Sequence, residues 1–124
     1  MYYIYILLSP LIMTSYNRIK RSVPFFKVLL RSKKQHRLQI LKNFPSFVID
    51  DIIEILINIV RGNVKLPTRY SKIFRRQRKT LLDITHSNNK RKRRQIIYKQ
   101  KGGFIASLLP IITTVIGTLL GGVI

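Results

Sequence analysis

The groups in this chain that could do chemistry are cations. Lys90-Arg-Lys-Arg-Arg94 is an unbroken positive run, with Lys99 and Lys101 beyond it. Arg69, Lys72, Arg75, Arg76, Arg78 and Lys79 form a second group upstream. Side chains of this kind neutralise phosphates and release counterions, with little readout of sequence. They also attract anionic lipid surfaces. Covalent chemistry has far less material. The chain has no Cys, hence no thiol nucleophile and no disulfide framework. His36 and His86 are widely separated and have no second ligand nearby, which is not a metal set. Gly102-Gly103 lacks the Gly and Lys-Ser/Thr spacing of a phosphate loop. With no nucleophile–base pair, metal set or cofactor motif, the chain reads as non-enzymatic, with no cofactor and no small-molecule substrate.

Lys and Arg number 24 against four Asp and Glu, a formal net charge of +20. All 24 lie between Arg18 and Lys101. Self-repulsion on this scale opposes compaction unless a polyanion or an anionic surface supplies counter-charge. The partner classes are therefore nucleic acid and anionic membrane. The length of 124 residues leaves room for one small domain with appendages. Three parts are expected: an apolar segment over 1–17, a basic helical region over 18–101, and a Gly-Gly joint with an apolar tail over 102–124.

Residues 1–12 are apolar and carry no side-chain charge. A secretory signal would place its cations before the apolar run, whereas here they follow from Arg18. The run is also short for a membrane span. It reads as an interfacial anchor, a buried segment, or an upstream extension ahead of Met13.

Val23–Arg31 has apolar residues at 25, 26, 29 and 30, near helical spacing, with Pro24 suited to a first turn. Ser32 and Gln35 form a capping-box pattern for a helix over 33–42, with Leu38 and Leu41 inward. Ser46 is the expected N-cap of the strongest helix, which runs to about residue 61 and ends at Gly62-Asn63. Its apolar positions cover most of the circumference, as in a core helix. Asp50, Glu54, Asn58 and Arg61 make one polar stripe, and Asp50, Asp51 and Glu54 complement the helix dipole. After Val64-Lys-Leu-Pro67 and an N-cap at Thr68, one helix is expected from Arg69 to about Asp83. Tyr70, Ile73, Phe74, Gln77 and Leu81 lie on one side and the six cations on the other. Ser87 or Asn89 caps a last basic helix from Lys90 to about Lys101.

The tail, Phe104 to Ile124, has 21 residues and no charge. At helical rise that is roughly 31 Å, enough to cross a hydrocarbon core; the alternative is a core helix of the small domain, disfavoured because the run has no polar positions to face water. Gly117 and Gly121 form a GxxxG pattern for close helix packing in a membrane.

The joint also resembles a known family. Arg91-Lys-Arg-Arg94, Gln100-Lys-Gly-Gly-Phe104, Leu108-Leu-Pro-Ile-Ile112 and Ile116-Gly117 are similar to the precursor of adenovirus core protein X, also called mu. They are also similar to basic proteins of Polinton/Maverick and adintovirus-type elements. The likeness covers about residues 90–124. It implies a viral core protein whose Arg/Lys run condenses DNA. It also implies an adenovirus-type cysteine protease that cuts after Gly103, so that Gly102, Gly103 and Phe104 flank the cut. The released tail would then be membrane-active. The family's protease pattern prefers Met, Ile or Leu two residues before the first Gly, where this chain has Gln100.

The expected fold is all-α. A small basic bundle of about four or five short helices surrounds the 46–61 helix, and a separate apolar transmembrane helix follows. Location in a virion core or nucleus goes with the viral reading. The alternative is a tail-anchored single-pass membrane protein with its basic region in the cytosol.

Overall fold

The computed structural model describes residues 17–63, 66–100 and 102–119, with the side chains of 104 and 107–115 in the last helix. The helices are α1 Val23–Arg31, α2 Arg37–Lys42, α3 Ser46–Val60, α4 Ser71–Arg76, α5 Arg78–His86, α6 Lys90–Lys99 and α7 Gly102–Leu119. Single 3-10 turns at Lys20–Ser22, Lys34–His36 and Thr68–Tyr70 lead into α1, α2 and α4. The all-α expectation holds among the described residues, which contain no strand.

α3 organises the fold. Val48, Ile49, Ile52, Ile53, Ile55, Leu56, Ile57 and Ile59 are all buried in it. β-Branched residues are modest helix formers, so burial rather than propensity holds this helix. It is buried around most of its girth because α5, α6 and α7 all pack on it. Its end follows from Gly62, whose φ is +74°. The Asn63 amide donates to the Asn58 carbonyl at 2.9 Å and the Gly62 amide to Ile59 at 3.0 Å, which is the Schellman arrangement. Its start differs from expectation. Pro45 occupies the N-cap position without a side-chain cap, and Ser46 is already helical.

The capping expectation at Ser32 is also corrected. Its hydroxyl donates to the Val28 carbonyl at 2.6 Å and closes the end of α1. Arg37 adds to that end, donating from Nε to Leu29 O at 3.0 Å and from Nη2 to Leu30 O at 3.4 Å. α5 ends the same way, with Arg93 donating to Ile84 O at 3.0 Å and Thr85 O at 3.4 Å. In both places an arginine from the next helix satisfies carbonyls that a helix end leaves unpaired. The helix expected over 69–83 is broken at Gln77, whose ψ of 9° lies outside the helical range, so it forms α4 and α5.

The separate C-terminal helix is corrected as well. Phe104, Leu108, Leu109, Ile111, Ile112 and Val115 of α7 belong to the one core, together with Leu41 of α2 and the apolar side of α3. α7 packs against α2, α3, α4 and the 34–36 turn. The Tyr70 and Thr114 hydroxyls share a hydrogen bond at 2.9 Å. Short helices this rich in charge cannot enclose a core by themselves, and α7 supplies the missing apolar surface. Among the described residues no helix is long and apolar enough to cross a membrane. Gly117 lies within α7. Gly121, the second half of the GxxxG pattern, lies outside the described residues, as do residues 1–16.

Candidate polyanion-binding surface

α4 and α5 sort their residues by helical period. Leu81 and Ile84 are buried, and Ile73 and Phe74 are half-buried against the core. Arg69, Lys72, Arg75, Arg76, Arg78 and Lys79 are all exposed, as the spacing predicts. Arg69 lies over the Tyr70 ring, its guanidinium carbon 4.7 Å from the centroid. Between α3, α4 and α5 runs a cleft of about 470 Å³. Ile59, Val60, Leu66 and Phe74 are among its apolar lining, with Arg75 and Arg78 beside them.

The run from Lys90 to Arg94 divides. Asn89 caps α6, its Oδ1 accepting from the Arg91 amide at 2.8 Å and the Lys92 amide at 3.4 Å. Lys90, Arg91 and Lys92 are exposed. Arg93 and Arg94 are only partly exposed and turn inward. Arg93 caps α5, as above. Arg94 grips Asp50 with both arms, Nε to Oδ1 at 2.7 Å and Nη2 to Oδ2 at 3.0 Å. Donating to the Asp50 carboxylate holds the Arg94 guanidinium further above its ordinary pKa. Arg93 and Arg94 therefore leave the expected phosphate-contacting set. The sequence carries a signal for this: they precede buried Ile97 by four and three positions, so helical geometry puts them on its side.

The acids of α3 do more than complement a dipole. Asp51 is buried, at 4% exposure. It accepts from Arg21 Nε at 3.2 Å and Nη2 at 3.1 Å, and from the Ser22 hydroxyl. That pairing raises the Arg21 pKa. The Arg21 guanidinium also lies over the Phe47 ring at 4.7 Å. Glu54 meets Arg18 at 3.4 Å. Three acids on one helix thus clamp Arg18, Arg21 and Arg94, tying the chain ahead of α1 and the start of α6 to α3. A sequence signal exists for Asp51 too: it shares a face with Val48 and Ile55, both buried.

The two tyrosines among the described residues have shifted acidities. The hydrogen bond with Thr114, and then one with Arg69, draws the Tyr70 phenol down. Burial pushes Tyr98 up. Among the described residues no group of three or more His, Asp or Glu stands together as a metal site. Gly102 and Gly103 lie in the first turn of α7, and Phe104 beside them is buried. No family model, curated protein or solved structure matches the chain.

Proposed function

We propose that this chain is a non-enzymatic polycationic protein of the viral core type that binds and condenses DNA through its phosphates. One observation carries the reading: three of the four acids are taken up by arginines of the chain while a set of cations is left outward. Asp50, Asp51 and Glu54 are each spent on an arginine of the same chain. Nine cations of 69–79 and 90–92 stand outward. The net charge of +20 then calls for an external polyanion. The resemblance of residues 90–124 to the core protein X precursor supports the same reading.

The test is competition among unrelated DNA duplexes at one fixed salt concentration, with light scattering to follow condensation. Near-equal affinities and condensation as the chain neutralises the phosphates are expected. Strong preference for one sequence, or no condensation, contradicts the proposal.

Cleavage after Gly103, by an adenovirus-type cysteine protease, and membrane activity of the tail are parts of the same proposal. Both need α7 to open first, because the bond lies in a helical turn next to buried Phe104. Mass spectrometry of the mature protein tests it: a chain ending at Gly103 is expected, and a chain intact through this bond contradicts cleavage.

A further inference from the structure

α6 has an outward face that the phosphate-binding reading does not use up. Arg91, Gln95 and Lys99 follow steps of four and are all exposed, with Lys92 beside them. The cations stand at the two ends of this stripe and the uncharged amide in the middle. Steps of four drift about 40° around the helix, so when α6 lies along the major groove of B-form DNA with Gln95 toward its floor, Arg91 leans to one wall and Lys99 and Lys92 to the other. A helix set there brings a cation to the phosphates on either side and the Gln95 amide to the base edges between them. An amide can both donate and accept, so it meets the groove floor of unrelated sequences without demanding one of them.

The opposite face of α6 is held firmly. Ile97 is fully buried, Arg94 is clamped to Asp50, and Arg93 caps α5 across the turn of residues 87–89. The pair α5–turn–α6 therefore presents its second helix from a fixed support, as a helix-turn-helix does.

The surface also suits a duplex better than a single strand. Proteins that hold single strands offer exposed aromatic rings for bases to stack on. Among the described residues the exposed large hydrophobic side chain is Val28, and no aromatic ring is exposed. Duplex RNA fits less well, because its major groove is too deep and narrow to admit a helix.

We infer that α6 lies in the major groove of duplex DNA, with Arg91, Lys92 and Lys99 on phosphates and Gln95 facing the base edges. This rests on the DNA-binding reading above and gives it a substrate class and an orientation. The experiment uses the full chain at fixed salt. It compares a DNA duplex of about twenty base pairs, the same sequence as RNA duplex, and one DNA strand, and adds dimethyl sulfate footprinting of guanine N7, which lies in the major groove. The DNA duplex is expected to bind roughly tenfold tighter than the other two, with guanine N7 protected. Gln95→Glu, an exposed change between good helix formers, should abolish the protection and weaken duplex binding roughly tenfold. Arg76→Gln on α4 should keep the protection while lowering the salt dependence. Equal binding to all three nucleic acids, or unprotected guanine N7 in a bound duplex, overturns the inference and leaves phosphate binding standing. Absence of binding to any of them overturns the DNA-binding reading itself.

Discussion

Arg94 and Asp50 face each other across the α6–α3 contact in a two-armed ion pair, with N–O distances of 2.7 and 3.0 Å. The pair removes one of the five consecutive cations from the outer surface and uses it to fix where α6 sits. Both side chains are mostly covered, at 26% and 21% exposure, so water weakens the pair less than it would at the surface. Arg94→Ala should cost about 1–2 kcal/mol of stability in urea unfolding. It should leave the salt dependence of DNA binding unchanged, whereas Arg91→Ala should lower the slope by about 0.9.

The Asp51 cluster makes an asymmetric prediction. Asp51→Ala removes a buried carboxylate and leaves Arg21, which is half exposed, free to turn to water. The expected cost is about 1–3 kcal/mol. Arg21→Ala leaves the buried carboxylate with Ser22 alone and should lower the melting temperature further than Asp51→Ala does. The double variant should recover part of that loss, which a thermal double-mutant cycle reads directly.

The C-terminal helix gives the sharpest test of the fold. Leu108 is fully buried. Leu108→Ala should destabilise the whole chain by about 2–5 kcal/mol, seen as a lower urea midpoint for far-ultraviolet circular dichroism. If α7 stood apart from the bundle, the midpoint would not move.

Tyr70 and Tyr98, two of the chain's six tyrosines, should separate in an alkaline titration followed by tyrosinate absorbance. Tyr70 ionises below the ordinary 10.0, and Tyr70→Phe should delete the early part of the curve. Tyr98 ionises above 10.0, and Tyr98→Phe should delete the late part. The effects on stability have opposite signs. The folded state holds the Tyr98 proton more tightly than the unfolded chain, so its contribution is full below 10.0 and is lost as pH rises through the folded value. For Tyr70 the contribution is present above 10.0 and is lost as pH falls through its depressed folded value.

Much of this architecture is legible in the residues. The apolar circumference of α3 marks a core helix, Gly62-Asn63 marks its stop, and Asn89 marks the start of α6. The spacing of the six cations over 69–79 places them outward, where they are found. The run 90–94 is harder to read, because five consecutive residues wind around a helix and cannot all face solvent. Composition names them alike; the phase of Ile97 separates Arg91 and Lys92 from Arg93 and Arg94, whereas Lys90, seven positions before Ile97, shares its phase and is exposed as the first residue of α6. For α7 a core helix is only the lesser of two readings in the sequence. An uncharged helix suits either lipid or a packed interior, and the difference lies in partners such as Leu41 and Tyr70 that are distant in sequence. The same holds for the clamps on Asp50 and Asp51, whose partners lie 44 and 30 positions away.

The most direct test of the central claim, that charge sorting leaves an outer surface for nucleic acid phosphates, is the binding constant of the full chain for a DNA duplex across a series of salt concentrations. With the nine outward cations of 69–79 and 90–92 engaged, log K should fall against log salt with a slope of about −8. A slope near zero, or binding that persists undiminished at high salt, would contradict it.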